Sequence, residues 1–123
     1  MEIKKGNYIQ LIIGPIMDAT GAVVINLAAA NDVKYMIKTN PTDVNAAALV
    51  NKKIGNGVTI NAPVLGSVTV TLNAPDTENL VPGEKYHALQ IEYTANNIQE
   101  INIIEDTKVI NQLTIIQDVV RKP

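Results

Sequence analysis

Ser67 and His87 are where nucleophilic catalysis would have to begin, because the sequence contains one serine and one histidine. A hydrolytic triad needs a nucleophile, a base hydrogen-bonded to it and a group that orients the base. Ser67 follows Gly66 at the start of a predicted strand, where a small residue is common. His87 flanks another predicted strand, where a locally hydrogen-bonded histidine is the ordinary case. We therefore expect no catalytic site, and the protein is predicted not to be an enzyme.

The sequence also predicts no metal site and no cofactor. One histidine and no cysteine cannot supply the ligands of a zinc site within one chain. The run DTEN at 76–79 has alternating oxygen ligands, but the rest of a calcium-binding loop is missing. Helix capping explains Asp76 better. Glu105 and Asp106 are adjacent and would point to opposite faces of a strand, so they do not form an acid/base pair.

Length and charge exclude several classes of protein. At 123 residues the chain has room for one domain, 1–123, with 1–6 and 119–123 expected as flexible or partner-contacting tails. A net charge of -2 without a cluster of like charges argues against partners such as nucleic acid or an anionic membrane. The apolar run near the N-terminus is interrupted by Asn7, Tyr8 and Gln10, so we interpret it as a strand and not as a signal peptide.

The composition favours β-sheet. Ile, Val and Thr contribute 17, 13 and 10 residues, while Phe, Trp and Cys are absent. Branched side chains suit a pleated, half-buried surface and lose rotamer freedom in helices. Turn residues separate short apolar runs at regular spacing, which is typical of an all-β fold. Strands are predicted at Tyr8–Ile13, Ala22–Leu27, Asp32–Thr39, Val58–Ile60, Val68–Asn73, Leu89–Tyr93, Ile98–Ile104 and Val109–Ile116.

The stretch from Gly66 to Tyr93 predicts how the strands are arranged. Its two strands alternate apolar and polar residues, the pattern of a strand with one buried face. Between them, Asp76 can cap a single helical turn ending near Leu80, and Pro82-Gly83 reverses the chain. Strands joined in this way usually lie in different sheets of a sandwich.

Three further local predictions can be made. Thr42 or Asp43 could cap a helix through Val50, because the segment contains the best helix-forming run in the chain. Gly55-Asn56-Gly57 is a hairpin-type signal. Tyr86 follows the Pro-Gly turn and could form a tyrosine corner, in which the ring packs and the hydroxyl bonds to backbone.

The order of these segments resembles a known family. DATGAVVINL, VKYMIK, NAAALVNKK, GNGVTI, GSVTVTL, DTENLVPG and QLTIIQDVVR follow one another over almost the whole chain. Together they are similar to the immunoglobulin-like β-sandwich domains of tailed-phage virion proteins, such as the N-terminal domain of baseplate upper proteins and small neck or head-associated proteins. Relative to that family, Glu84-Lys85 adds one residue before Tyr86.

The resemblance implies an antiparallel immunoglobulin-like sandwich of about 7–9 strands with one or two short helical connections. It also implies a structural component of a tailed-phage virion, as a capsid decoration, neck or baseplate adaptor, made in the host cytoplasm and located in the virion. Its partners would be other virion subunits, in a homo-oligomer or symmetric assembly. The candidate structural and interaction residues are Tyr86, Asp76, Gly83, Ile12, Ile110 and Ile116. The alternative is a carbohydrate- or host-surface-binding module, which the lack of tryptophan makes weaker.

Overall fold

A computed structural model describes residues 1–16, 26–94, 96–101, 104–105, 108–109 and 111–117. The strands are β1 (Glu2–Lys4), β2 (Ile9–Ile13), β3 (Asp32–Lys38), β4 (Val50–Ile54), β5 (Gly57–Ala62), β6 (Ser67–Leu72), β7 (Gly83–Thr94), β8 (Asn97–Ile101), β9 (Ile104–Glu105), β10 (Lys108–Val109) and β11 (Gln112–Ile116). Helical structure is limited to one short α-helix, α1 (Ala74–Thr77), and the 3₁₀ turns Leu27–Ala29 and Asn45–Ala47. The prediction of an all-β fold is confirmed.

The strands form one nine-stranded, barrel-like sheet and a separate two-stranded sheet, β9–β10. The large sheet has the order β1-β11-β7-β3-β4-β5-β6-β2, and β8 pairs with the second half of β7. The sheet is mixed, whereas the sequence predicted a purely antiparallel one. β1 runs parallel to β11, and β4 and β5 meet in parallel register.

Residues 1–6, predicted as a tail, contain β1 and belong to the fold. Ile3 is buried, and β1 aligns Glu2 with Thr114 and Lys4 with Ile116. Three residues are too short for the period-two signal that identifies a strand, so pairing with a distant strand decides the structure. The other predicted tail, 119–123, lies outside the described residues.

The chain turns a corner between β4 and β5, where the sequence predicted a hairpin. Gly57 has a φ of 96°, and a Cβ at this position would lie 2.7 Å from Cδ of Lys52. Only glycine tolerates both this backbone conformation and the passing lysine stem. The corner carries the sheet from its first half, β1-β11-β7-β3-β4, into its second half, β5-β6-β2.

The core lies on the inner face of the sheet, as period-two alternation requires. Directly paired residues of β3 and β7 share a face, so Val33 with Ile91 and Tyr35 with Leu89 point inward together. From the second half, Val68, Val70 and Leu72 complete the same cluster. All of these side chains are buried.

The two central predicted strands lie in different halves of the sheet. β6 belongs to the second half and β7 to the first, with β3, β4 and β5 between them. α1 makes the crossing, as the sequence predicts for a helical turn in this connection. The predicted helix from Thr42 or Asp43 to Val50 is wrong: the structure has a 3₁₀ turn, Asn45–Ala47, and Val50 begins β4.

Candidate functional site

The two residues considered for catalysis have different hydrogen-bond partners. Ser67 lies in β6, and its hydroxyl is 3.3 Å from the side-chain amide of Asn61. His87 lies in β7 on the inner face, paired in register with Ile37. Its Nδ1 is 2.8 Å from the hydroxyl of Tyr35. Three strands separate β6 from β7 in the sheet order, so the structure does not assemble these residues into one site.

Tyr35 and His87 form a buried polar pair inside the core. Their ring centroids are 5.7 Å apart with an interplanar angle of 79°, an edge-to-face contact. Burial raises the pKa of Tyr35 far above its ordinary value, so the phenol keeps its proton. The hydroxyl therefore donates to Nδ1. This pair could not be predicted, because 52 residues separate its members in the chain.

Asp76 is an anchor of the helical crossing. Its carboxylate accepts a hydrogen bond from the backbone N–H of Asn73 at 2.7 Å and lies 2.7 Å from Nζ of Lys52. Burial alone would raise the pKa of Asp76, but the lysine and the Asn73 amide outweigh burial and lower it. In the described part of the chain, no group of three or more His, Cys, Asp or Glu side chains could hold a metal ion.

Tyr86 and Gly83 lie where β7 begins. Gly83 has a φ of 135°, a conformation that residues with side chains rarely adopt, at the turn the sequence predicts. The Tyr86 hydroxyl contacts the side-chain amide of Gln112 at 3.4 Å, across the β7–β11 pair. A tyrosine corner bonds its hydroxyl to backbone. Tyr86 instead stands on the outer face of the sheet, at the wall of a pocket.

This outer-face pocket has a volume of about 50 Å³. Met36 and Ala88, paired in register across β3 and β7, lie at its base. Polar side chains surround them: Lys38, Asn45, Tyr86, Gln90, Glu100 and Asn111.

Hydrogen bonds fix part of the pocket wall. Lys38 Nζ donates to the carbonyl oxygen of Asp43 at 2.8 Å and to Oδ1 of Asn45 at 3.0 Å. Asn45 Nδ2 in turn lies 3.4 Å from Oε1 of Gln90. Amides, a cation, a carboxylate and a phenol around an apolar base can bind hydroxyl groups and cover an apolar ring edge. This is the chemistry of a small, polar, neutral ligand.

A second surface is apolar. Ile12 is 77% exposed, and Val64 and Leu65 are 68% and 65% exposed in the turn between β5 and β6. After β2, the backbone N–H of Ile16 bonds to the carbonyl of Gly66, so the end of β2 runs beside this turn. We call Ile12, Val64 and Leu65 the distal patch.

The other predicted contact residues are placed less favourably. Ile116 is half-buried at the end of β11, opposite Lys4 of β1. Ile110 lies outside the described residues. The prediction of an exposed isoleucine holds for Ile12, which occupies the outer face of β2 while Ile13 is buried.

Sequence reasoning missed the pocket and half of the distal patch. Met36 and Ala88 come together through strand register, which no local pattern encodes. Val64 and Leu65 follow Pro63 and precede Gly66, so turn signals on both sides of two apolar residues were available as an indication of exposure.

No protein-family model matches the chain, and no curated protein sequence matches it. Among the helices of the described residues, none is long and apolar enough to cross a membrane.

Proposed function

We propose that this protein is a non-enzymatic structural component of a tailed-phage virion, a capsid decoration, neck or baseplate adaptor. In this proposal it is synthesised in the host cytoplasm and incorporated into the virion by docking on other virion subunits. The distal patch carries the proposal. Adjacent exposed apolar residues mark contact surfaces more often than single ones do.

The strand connectivity supports an immunoglobulin-like sandwich as the finer description of the fold. The series β2-β3-β4-β5-β6-β7-β11 fits strands B, C, C′, D, E, F and G of a variable-type domain. One sheet would then be β1-β11-β7-β3-β4 and the other β5-β6-β2. The helical crossing α1 stands between E and F, and β1 runs parallel to the last strand.

Binding to purified virion subunits tests the docking role. The proteins encoded by the neighbouring genes should include capsid, connector, tail or baseplate subunits, and one of them should co-sediment with this protein. Val64→Asp combined with Leu65→Asp should weaken that binding at least tenfold, because a charge on each side chain must be desolvated at an apolar contact.

Val81→Asp is the matched control, since Val81 is 71% exposed in the connection after α1, away from the distal patch. It should leave binding unchanged. Absence of binding to any capsid, connector, tail or baseplate subunit refutes the docking role, and so does equal loss of binding in both variants.

The outer-face pocket favours one alternative, a carbohydrate- or host-surface-binding module. Tyr86 offers a half-exposed ring, and Asn45 and Gln90 offer amides to sugar hydroxyls. A glycan array should then give binding that Tyr86→Ala and Gln90→Ala both abolish. Tyr8→Ala, at a tyrosine 61% exposed outside the pocket, should preserve it. An array without any bound glycan rejects this alternative.

A further inference from the structure

β2 is an edge strand without the usual protection. Within the described residues it pairs only with β6, and it stands at the end of the sheet order. Folded proteins normally protect such edges with lysine, proline, a bulge or a covering segment. From Tyr8 to Ile13 the sequence YIQLII contains no charge, no proline and no glycine.

The core is incompletely covered beside this edge. Ile9 and Leu11 pair in register with Leu72 and Val70 of β6, so all four side chains face inward. Leu72 and Val70 are fully buried, whereas Ile9 and Leu11 pack against the core but stay partly exposed. At the opposite end of the sheet order, Ile3 of β1 is 1% exposed. Apolar area therefore remains open on the β2 side alone.

We propose that β2 of a second copy of this chain adds to this edge, antiparallel and centred on Leu11. Leu11 then faces its own counterpart across a two-fold axis, Ile9 faces Ile13, and Gln10 faces Ile12. Every inward side chain meets an inward side chain, and every outward one an outward one. Pro15 ends the pairing, because it has no N–H to donate.

A second copy suits this edge better than an unrelated strand for two reasons. The segment is uncharged, so self-pairing brings no like charges together. Its period-two pattern is also symmetric about Leu11, as an isologous interface requires. Five residues on each side form a small interface, so we expect a weak dimer with a Kd on the order of micromolar to millimolar.

Sedimentation equilibrium over a range of concentrations tests the dimer. The weight-average mass of the full chain should rise from 13.3 kDa toward twice that value as concentration increases. The double variant Gln10→Lys with Ile12→Lys places lysine opposite lysine across the two-fold axis. It should weaken dimerisation at least tenfold, with an unchanged circular dichroism spectrum, because both side chains are outward and exposed.

Thr59→Lys is the matched control. Thr59 is exposed and pairs with Thr69, which pairs with Ile12, so it lies in the same row of the outer face but two strands from the edge. It should dimerise like the wild type. A wild type that is monomeric throughout, or equal weakening by Thr59→Lys and the double variant, overturns the proposal. So does capture of another protein's strand by a monomeric wild type.

Disulfide formation tests the register, since the chain contains no cysteine. A mixture of Gln10→Cys and Ile12→Cys variants should form disulfide-linked dimers at least tenfold faster than either variant alone. Faster linking of Ile12→Cys with itself overturns the register centred on Leu11. The dimer does not depend on the virion role: failure to bind virion subunits refutes the proposed function and leaves this inference standing.

Discussion

Two short helical turns connect strands in this protein, and they are attached to it in different ways. α1 joins β6 to β7. It contains buried Thr77, whose hydroxyl accepts the Gly6 N–H at 2.9 Å, and it precedes buried Leu80. Asp76 links it to Lys52 of β4. The 3₁₀ turn Asn45–Ala47 joins β3 to β4, has no buried residue, and contacts Lys38 and Gln90 through exposed hydrogen bonds.

The difference shows what holds a short helical connection in place. The alanine-rich turn has the stronger intrinsic helix preference, yet it forms the looser and shorter structure. α1 contains Pro75, Asp76 and Thr77, poorer helix formers, and is fixed by contacts with β4 and with the β1–β2 link. A helix this short gains little from propensity, so tertiary contacts decide.

The largest effect expected from this comparison concerns a pair of leucines, one following each turn. Leu80→Ala should destabilise the protein by about 2–4 kcal/mol, because it removes a buried side chain from the core and leaves a cavity. Leu49 is 42% exposed, so Leu49→Ala should cost less than about 1 kcal/mol. Urea unfolding of both variants measures the difference. Similar losses of unfolding free energy would show that both connections pack on the core.

The two aspartates give the next largest difference. Asp76→Ala should cost about 1–3 kcal/mol, since it removes the Asn73 cap and leaves the ammonium of Lys52 without its carboxylate. The Lys52 side chain is only 12% exposed, so water compensates poorly. Asp43 accepts only an exposed N–H from Asn40 at 3.1 Å among the described contacts, and Asp43→Ala should cost about 0.5 kcal/mol. Equal costs in urea unfolding would contradict the anchoring role of Asp76.

Acid titration sharpens that test. The folded state lowers the pKa of Asp76 below its ordinary value of 3.8, so the unfolded chain binds the proton first. Stability from this group is therefore complete above about pH 5 and is lost as pH falls below 3.8 through the lower folded pKa. The difference in unfolding free energy between wild type and Asp76→Ala should be constant near neutrality and shrink below about pH 4. A gap independent of pH would rule out the carboxylate charge as its source.

Two threonines provide a smaller contrast. Thr77→Val should cost about 1–2 kcal/mol, because the Gly6 N–H loses the hydroxyl that accepts it while the side-chain shape is kept. Thr42 is exposed before the 3₁₀ turn, and Thr42→Val should change stability by less than about 0.5 kcal/mol. Thermal unfolding compares the two. A neutral Thr77→Val variant would mean that the link between β1 and β2 is held by other contacts.

Strand positions were the most predictable part of the fold. In β2 and β6 the apolar positions alternate, and the structure puts Ile13, Val68, Val70 and Leu72 inside while Ile12 points out. Period two survives because a sheet face gives each side chain one of two environments. β1 was missed because three residues cannot display a period, and its pairing with β11 joins opposite ends of the chain.

The candidate sites were less predictable, because their parts meet through register and crossings. Tyr86 was recognised as a structural residue from its place after a Pro-Gly turn, but its position on the pocket wall depends on β3, β8 and β11. The partial exposure of Ile9 and Leu11 depends on which strand stands at the sheet edge, and the local pattern of β2 does not contain that information.

Ala46→Gly gives the smallest expected effect and tests the conformation of the alanine-rich turn most directly. In the interior of an α-helix this change costs about 1 kcal/mol, because glycine loses more backbone freedom on folding. Ala46 is exposed in a 3₁₀ turn of three residues, with only one of its neighbours on each side helical. The cost should therefore stay below about 0.5 kcal/mol. A loss of 1 kcal/mol or more in urea unfolding would mean that the segment forms the longer helix that its composition favours.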